Sequence, residues 1–193
     1  MLKNLQNYEI LLASKSPRRR ELLKELRINF RIMTIGGIDE NYPEEMRKEE
    51  VPQYLANKKA DAYMDHISER NIVITADTLV ICDNRILGKP RNATEAIEML
   101  ETLSGKTHKV VSGVCLASLD KRVSFSTTTE VTFSEISEDE ARYYVETFMP
   151  LDKAGAYGIQ EWIGCVAVEK INGSFYNVMG LPVHRLYKEL KNF

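Results

Sequence analysis

The chain has little of what marks several classes of protein. It contains three cysteines, Cys82, Cys115 and Cys165, and no Cys/His spacing typical of a zinc site. Because the cysteines lie far apart in apolar stretches, we expect buried thiols in a reducing compartment and no disulfides. No apolar run approaches the roughly 18 residues of a membrane helix, and the first residues lack the apolar centre of a signal peptide. We therefore predict a cytoplasmic protein with no membrane partner.

Charge of one sign is also scarce. The formal net charge is −2, which is typical neither of a polybasic nucleic-acid coat nor of an acidic tail. Any bound anion must then be held by local charge and not by the field of the whole molecule. A length of 193 residues with 44% apolar composition suits one domain with a substantial core, and we predict a single domain over residues 1–193.

Apolar runs alternate with helical patterns along the chain. The runs "YEILLAS" and "NFRIMTI" predict strands, "NIVITADTLVIC" predicts one strand or two broken near Asp77, and "HKVVSGVCLASLD" with "RVSFSTTTEVTF" predicts a hairpin. Helical spacing occurs in "PRRRELLKEL", in residues 49–66, and in "NATEAIEMLETLSG", "SEDEARYYVETF" and "PVHRLYKEL". Short strands are expected around Val166 and Phe175. The pattern indicates an α/β or α+β chain with a mixed sheet and helices on its faces.

Positive charge is concentrated where the first strand meets the first helix, in "LLASKSPRRRELLKEL". Ser16 suits the N-cap, and Pro17 suits the first helical position because its missing N–H costs nothing there. The N–H groups of a first helical turn attract anions, so acidic residues are usual at these positions. Arginine here opposes the helix dipole by a few tenths of a kcal/mol, up to about 1.

Such an unfavourable local choice is explained if a ligand supplies the negative charge. Arginine binds phosphate oxygens in a bidentate way that lysine cannot match. Successive helical residues lie about 100° apart, so at most two can face one ligand. We expect Arg18 and Arg19 to do so, with Arg20 facing solvent. The alternative is a solvated basic helix start paired with Glu21 and Glu25.

Asp77 is the acid most suggestive of a catalytic or metal site. It interrupts an apolar run, and burying a lone carboxylate is costly unless it is paired or binds a metal. If the strand stops at Ala76, Asp77 lies at a strand carboxyl end, where ligands bind in open α/β sheets. A turn aspartate bonded to nearby backbone is the alternative.

Three other charged positions have a local setting that suggests a role. Gly88 and Pro90 would hold Lys89 on a stiff turn, which favours charge neutralisation over an ordinary surface lysine. Asp39 and Glu40 follow a Gly-Gly pair that leaves them on a flexible loop.

Together these residues resemble the Maf family of nucleoside triphosphate pyrophosphatases, nearly end to end. The similar segments are "LASKSPRRREL", "IDENYP", "LANKKADA", "ITADTLV", "GKP", "LSGKTHKVVSGV", "DKAGAYGIQ" and "GSFYNVMGLPV". Each is weak alone, but this order and these separations are specific. The resemblance implies hydrolysis of the α–β bond of a nucleoside triphosphate to pyrophosphate and the monophosphate, with Mg²⁺ or Mn²⁺. It also implies a homodimer and an elongated mixed sheet in two lobes with a central cleft, similar to inosine triphosphate pyrophosphatases.

The resemblance assigns roles to individual positions. Its serine and arginines fall on Ser14, Arg18 and Arg19, its loop acid on Glu40, its helix lysine on Lys59, its main aspartate on Asp77 and its loop lysine on Lys89. Asp77 and Glu40 are the implied metal ligands; whether Asp77 also takes a proton is left open. "AYGIQ" is similar to the branch acting on dTTP and UTP, whose base-contacting glutamine falls on Gln160. The chain departs from the family at Glu161, where a small residue is usual.

Two other classes of function are weighed against this one. A module that only binds nucleic acid or a phosphoprotein should place aromatic residues beside its arginines, and none lies between Leu11 and Phe30. A non-catalytic, nucleotide-sensing regulator of cell division or septum formation is the second alternative. It is disfavoured because every charged motif position is present.

Overall fold

The computed structural model of the chain describes residues 2–193 and contains a seven-stranded mixed sheet. The strand order is β2-β1-β3-β5-β6-β7, with β4 beside β3. The strands are β1 (Glu9–Leu12), β2 (Phe30–Ile32), β3 (Asn71–Cys82), β4 (Arg85–Leu87), β5 (Thr107–Ala117), β6 (Arg122–Phe133) and β7 (Val168–Asn172).

Helices alternate with these strands along the chain. They are α1 (Pro17–Glu25), α2 (Val51–Asp61), α3 (Ala93–Leu103), α4 (Glu138–Phe148), α5 (Trp162–Val166), α6 (Phe175–Val178) and α7 (Val183–Asn192). The predicted α/β class, a mixed sheet flanked by helices, is confirmed. Within residues 2–193, no helix combines the length and apolar character needed to cross a bilayer.

The chain divides into two compact units. The first contains the residues up to Asp77 with Ser112–Thr127 and Gly180–Phe193, and the second contains Thr78–Val111 and Thr128–Met179. Strands β3, β5 and β6 therefore contribute residues to both units. The single domain and the cleft between lobes stay predictions.

The first unit is built on parallel pairing of β1 with both β2 and β3. Leu12 is the last residue of β1 in both ladders, opposite Ile32 and Ile74. Ser16 caps α1 as predicted, since its side chain accepts the N–H of Arg19, and Pro17 is the first helical residue. The core beneath α2 contains Leu11, Ala56, Ala60, Tyr63, Val73, Cys115 and Ala117.

The second unit combines antiparallel strands with two amphipathic helices. Strands β3 and β4 form a hairpin through Asp83 and Asn84, whose φ values of 48° and 58° suit a tight turn. Asn92 caps α3, and Ser137 with Glu140 forms a capping box at the start of α4. Buried residues of both helices, including Leu100, Leu103, Tyr144 and Val145, belong to one apolar cluster with Phe133 and Tyr157.

Two predictions for the last third of the chain are wrong. Val166 ends helix α5 and Phe175 begins helix α6, so the region has one strand, β7, between two short helices. The side chain of Ser174 accepts the N–H of Asn177 and caps α6, a local signal that favours helix over strand. Cys165 is exposed rather than buried because it lies on the outer face of α5, whereas Cys82 and Cys115 are buried as predicted.

Candidate functional site

A lysine lies between two carboxylates in the first unit. The Lys59 Nζ is 2.5 Å from Oδ1 of Asp77 and 2.9 Å from Oε1 of Glu40. The side chains of Lys59 and Asp77 are 15% and 14% exposed, whereas that of Glu40 is 62% exposed. The ammonium group of Lys59 thus contacts both Asp77, a largely buried acid of strand β3, and Glu40, an exposed acid of the loop before α2.

Helix α2 is fixed against the sheet, which places Lys59. The buried Thr75 hydroxyl donates to the carbonyl of Ala56 at 2.6 Å, two residues before Asp77. At Gly113 of β5, a Cβ would lie 2.2 Å from the backbone of Pro52 and Gln53, so glycine allows the start of α2 to approach the strand. The lysine therefore extends from a helix that has little freedom to shift.

The loop that carries Glu40 is held by the preceding lysine of α2. The Lys58 Nζ donates to Oδ2 of Asp39 at 2.6 Å and to the carbonyl of Asn41 at 2.9 Å. The hydrogen bond from Lys58 lowers the pKa of Asp39, with a further bond from the N–H of Asn41. Two successive lysines thus contact two successive acids, which fixes the position of Glu40 in the loop.

Asp77 lies neither at the carboxyl end of a strand nor in a turn, so both placements considered from the sequence are wrong. Strand β3 runs from Asn71 to Cys82, and Asp77 lies inside it. The pairing partner changes along β3: β1 pairs as far as Ile74, and β4 begins at Val80. Asp77 falls between the two ladders, where burial drops from complete to partial, and this leaves room for a charged side chain.

Arg19 ties the backbone beside Asp77 to a distant loop. Its Nε donates to the carbonyl of Gly180 and its Nη1 to the carbonyl of Ala76, each at 2.9 Å. Burial lowers the pKa of Arg19, and the charges of Asp77 and Glu40 act in the opposite direction. The arginine and both acids therefore share one electrostatic environment.

The remaining residues of the junction differ in exposure. Ser14 is buried and its hydroxyl accepts the N–H of Ser16 at 3.2 Å, so it shapes the turn into α1. Arg18 is half-buried and its charge contributes to lowering the pKa of Arg19. Arg20 was predicted to face solvent, and this prediction is wrong. The side chain is half-buried, and its Nε is enclosed without a hydrogen-bond partner.

Asp77 and Glu40 form a pair of oxygen donors that suits a divalent cation bound together with phosphate. Among residues 2–193, no group of three or more His, Cys, Asp or Glu side chains is arranged to hold a metal. Asp77 and Glu40 nevertheless present oxygens to one cation, the ammonium of Lys59. Mg²⁺ is usually held by one or two carboxylates together with phosphate and water oxygens, so this donor pair suits it.

Lys89 and Gln160 belong to the second unit. Lys89 is exposed and Pro90 beside it is buried, which agrees with a lysine on a stiff turn. The carbonyl of Gly88 accepts the N–H of Gly155 at 3.0 Å, so the "GKP" turn is attached to the segment that leads to Gln160. Gln160 is exposed, whereas Tyr157, Gly158 and Ile159 before it are buried.

A polar network beside Gln160 was missed by the sequence reasoning. The buried Lys153 lies 2.8 Å from Asp152 and 3.1 Å from Glu161, and the hydroxyl of Tyr144 donates to Glu161 Oε2. The only signal was a lysine inside the otherwise small and apolar stretch "KAGAYGI". Glu161, the acid at a position where the family usually has a small residue, therefore has two polar partners, Lys153 and Tyr144.

The structure thus brings together four first-unit members of the predicted set. Lys59 contacts both Glu40 and Asp77, and Arg19 bonds the carbonyl next to Asp77. Ser14 lies at the turn two residues before the N-cap of α1.

Comparison with known proteins gives an end-to-end match. A family model described as Maf-like protein matches residues 9–193. A dTTP/UTP pyrophosphatase of Phocaeicola vulgatus is 53% identical over 191 residues, 99% of each chain. One of Parabacteroides distasonis is 51% identical over 193 residues, 100% of each chain. A solved nucleoside-triphosphatase (dITP/XTP pyrophosphatase) from Mycobacterium abscessus is 17% identical with a TM-score of 0.42, covering 66% of this chain and 75% of that one.

Proposed function

The chain belongs to the Maf family, and on that premise we propose that it is a nucleoside triphosphate pyrophosphatase acting on dTTP and UTP as one domain over residues 1–193. The family match runs across both compact units, which supports a single domain. The observation that carries the proposal is the contact of Lys59 with Asp77 and Glu40 beside Arg19. Such a set offers cations for a polyphosphate and acids for a metal.

The cationic residues bind the triphosphate in this proposal. Arg18 and Arg19 begin a helix whose first N–H groups favour anions, and Lys59 and Lys89 add ammonium groups. Arg19 uses at least two of its five N–H donors on backbone carbonyls, so it also holds the strand beside Asp77. Charge that builds on the leaving pyrophosphate is stabilised by these groups, which is the main contribution proteins make to phosphoryl transfer. Ser14 shapes the turn that presents the arginines.

Asp77 and Glu40 are the residues that would hold a divalent metal and position the attacking water. Asp77 and Glu40 would bind Mg²⁺ or Mn²⁺, and such an ion supplies neutralisation of phosphate charge when it is bound. On arrival of the substrate, Lys59 exchanges carboxylate contacts for phosphate contacts, which leaves the oxygens of both acids available. Asp77 then orients the water or accepts its proton.

Gln160 selects the base. A side-chain amide both donates and accepts a hydrogen bond, which suits the imide edge of uracil or thymine. A base with the opposite pattern would leave the amide unpaired in the bound state, and unpaired buried polar groups are costly. The relatives named as dTTP/UTP pyrophosphatases support this choice of substrate.

The deciding experiment is a substrate panel with the purified chain. Incubation with dTTP, UTP, GTP and ATP plus Mg²⁺ should release pyrophosphate, not orthophosphate, from dTTP and UTP first. Asp77→Asn should lower turnover at least about 100-fold while the chain stays folded, because Lys59 keeps Glu40 as a partner.

The same panel tests the other classes. Tight nucleotide binding without pyrophosphate release indicates the nucleotide-sensing regulator, and binding of oligonucleotides without nucleotide turnover indicates a nucleic-acid module. The homodimer and the cytoplasmic location remain predictions from the resemblance and composition. Sedimentation of the full chain tests the first.

A further inference from the structure

The segment before Gln160 has a strained backbone. Gly155 has a φ of 68° and Ala156, which follows it, a φ of 56°. A non-glycine residue in this region costs about 1 kcal/mol or more, and such strain persists only where the surroundings enforce it. A side chain at Gly155 would be strained, since its φ is positive and a Cβ would lie 3.0 Å from a side-chain carbon of Val80. The tight turn at Gly155 and Ala156 therefore sets the direction of the backbone that leads to Gln160.

One hydroxyl joins three parts of this region. Tyr144 is fully buried in α4, and its hydroxyl accepts the N–H of Gly158 at 3.0 Å while it donates to Glu161 Oε2. Burial raises the pKa of Tyr144, and the carboxylate of Glu161 adds to that rise, so the hydroxyl keeps its proton. Gly158 and Glu161 lie on either side of Gln160, and the same atom therefore bonds the backbone before it and the side chain of the residue after it.

The acid of this network is anchored from its other oxygen. Glu161 Oε1 lies 3.1 Å from Nζ of Lys153, whose side chain is 9% exposed. The carboxylate folds back over the chain, since a Cβ on Gly158 would lie 2.8 Å from Cδ of Glu161. Gly158 is therefore required for the carboxylate to reach both Tyr144 and Lys153.

Helix α5 closes the segment from the other side. A Cβ on Gly164 would lie 1.8 Å from the carbonyl oxygen of Ile159, so the helix packs directly on the residue before Gln160. The N–H of Gly164 also bonds the carbonyl of Glu161 at 2.9 Å. Gln160 is then an exposed side chain on a backbone that is held at every neighbouring residue.

We propose that Tyr144, Glu161 and Lys153 are positioning residues that hold Gln160 in the orientation used for base selection. The inference rests on the proposed role of Gln160 and deepens it. A side chain that discriminates by hydrogen bonds needs its backbone held in one place relative to the bound base, because a shift of the backbone would change which groups of the base its amide can reach. The network acts on selection through the backbone and does not itself touch the base.

The experiment compares Tyr144→Phe and Glu161→Gln with the wild type, using kcat and KM for UTP and CTP, because cytosine has the size of uracil but the opposite hydrogen-bond pattern. Each variant removes a hydroxyl or a charge with little change in volume. We expect preference for UTP over CTP to fall at least about tenfold, through KM, with kcat changed by less than about threefold. Arg142→Gln is the matched control: it breaks an exposed ion pair with Glu138 on the same helix and should leave the preference unchanged.

A double-mutant cycle with Gln160→Ala separates positioning from general stability. If the network acts through Gln160, adding Tyr144→Phe to Gln160→Ala should cause no further loss of preference. Losses that multiply, or a lower Tm with unchanged preference, would overturn the inference.

Amide hydrogen exchange at residues 158–161 of the free protein is independent of substrate. Exchange should be faster in Tyr144→Phe and Glu161→Gln than in the wild type and in Arg142→Gln, and equal rates would overturn the positioning role. If the wild type releases no pyrophosphate from any triphosphate, the proposed function fails and the exchange result alone decides whether the network holds this segment.

Discussion

The ammonium group of Lys59 lies 2.5 Å from a carboxylate oxygen of Asp77 and 2.9 Å from one of Glu40. A lysine in this position neutralises two acids that would otherwise repel each other. It also occupies the point at which both acids would meet a metal ion. The structure therefore suggests competition between an internal cation and a divalent one.

Replacement of Lys59 by methionine tests this competition. Without metal, Lys59→Met should have a lower Tm, because two carboxylates lose their shared cation. Added Mg²⁺ should raise the Tm of Lys59→Met more than that of the wild type, since ligands that bind only the folded state stabilise it. Turnover should fall at least about 100-fold, because a phosphate contact is also lost. Thermal denaturation with and without Mg²⁺, with pyrophosphate release, gives all three results.

A lysine of the second unit provides the control. Lys106→Met removes an exposed ion pair with Asp83, which is not one of the proposed metal ligands. Its Tm should respond to Mg²⁺ as the wild type does. An equal gain in the two variants would show that the ion does not bind at Asp77 and Glu40.

Arg18 and Arg19 are adjacent in sequence, but replacement by lysine should have different effects at the two positions. Arg19→Lys cannot reach both the Ala76 and Gly180 carbonyls, so a buried acceptor loses its donor at a cost of about 1–3 kcal/mol. Arg18→Lys retains a charge at a half-buried position, and we expect a raised KM with little change in stability. Urea denaturation and steady-state kinetics of the two variants distinguish a tethering arginine from a ligand-binding one. Equal free energies of unfolding in the two variants would contradict the tethering role.

Local rules explain which parts of the site the sequence could predict. The cap at Ser16, the proline at the start of α1 and the stiff turn around Lys89 depend on residues within a few positions of each other. Asp77 could be singled out from the sequence, but its place inside a continuous strand depends on where two different partner strands stop and start. No pattern within β3 contains that information.

Contacts between distant residues explain the errors and omissions. Arg19 bonds the carbonyl of Gly180, which is 161 positions away, and a backbone carbonyl leaves no mark in a sequence. The half-buried environment of Arg20 is equally non-local. The apolar residues around Phe175 were interpreted as a strand because a short run does not distinguish strand from helix, and the Ser174 cap decides the outcome.

The buried histidine of the second unit predicts how stability depends on pH. His108 is 1% exposed, and burial lowers its pKa from 6.5 to about 4. Its Nε2 shares a hydrogen bond with the hydroxyl of Tyr157, and its ring packs edge-on against Phe133. Between pH 6.5 and 4 the unfolded chain binds a proton that the folded chain does not, so stability falls as the pH falls through this window.

The loss attributable to His108 should approach about 3 kcal/mol at pH 4, by linkage over the shift in its pKa. Denaturant titrations of the wild type and of His108→Gln, which has no titrating ring, measure it. His108→Gln should be less stable than the wild type at pH 7 but should lose less stability between pH 7 and pH 4. Parallel pH profiles for the two proteins would show that folding does not lower the pKa of His108.

Close packing at Gly113 should make this position intolerant of a side chain. A Cβ there would lie 2.2 Å from backbone atoms of Pro52 and Gln53, and backbone cannot move aside as the end of a flexible side chain can. Gly113→Ala should therefore cost at least about 1–3 kcal/mol of unfolding free energy. It should also lower turnover, because the displaced helix α2 carries Lys59. Gly36→Ala is the matched control, since a Cβ at Gly36 meets nothing within 4 Å and should change the free energy of unfolding by less than about 1 kcal/mol. If Gly113→Ala unfolded at the same urea concentration as Gly36→Ala, the packing of α2 on β5 would not be what fixes Lys59 beside Asp77.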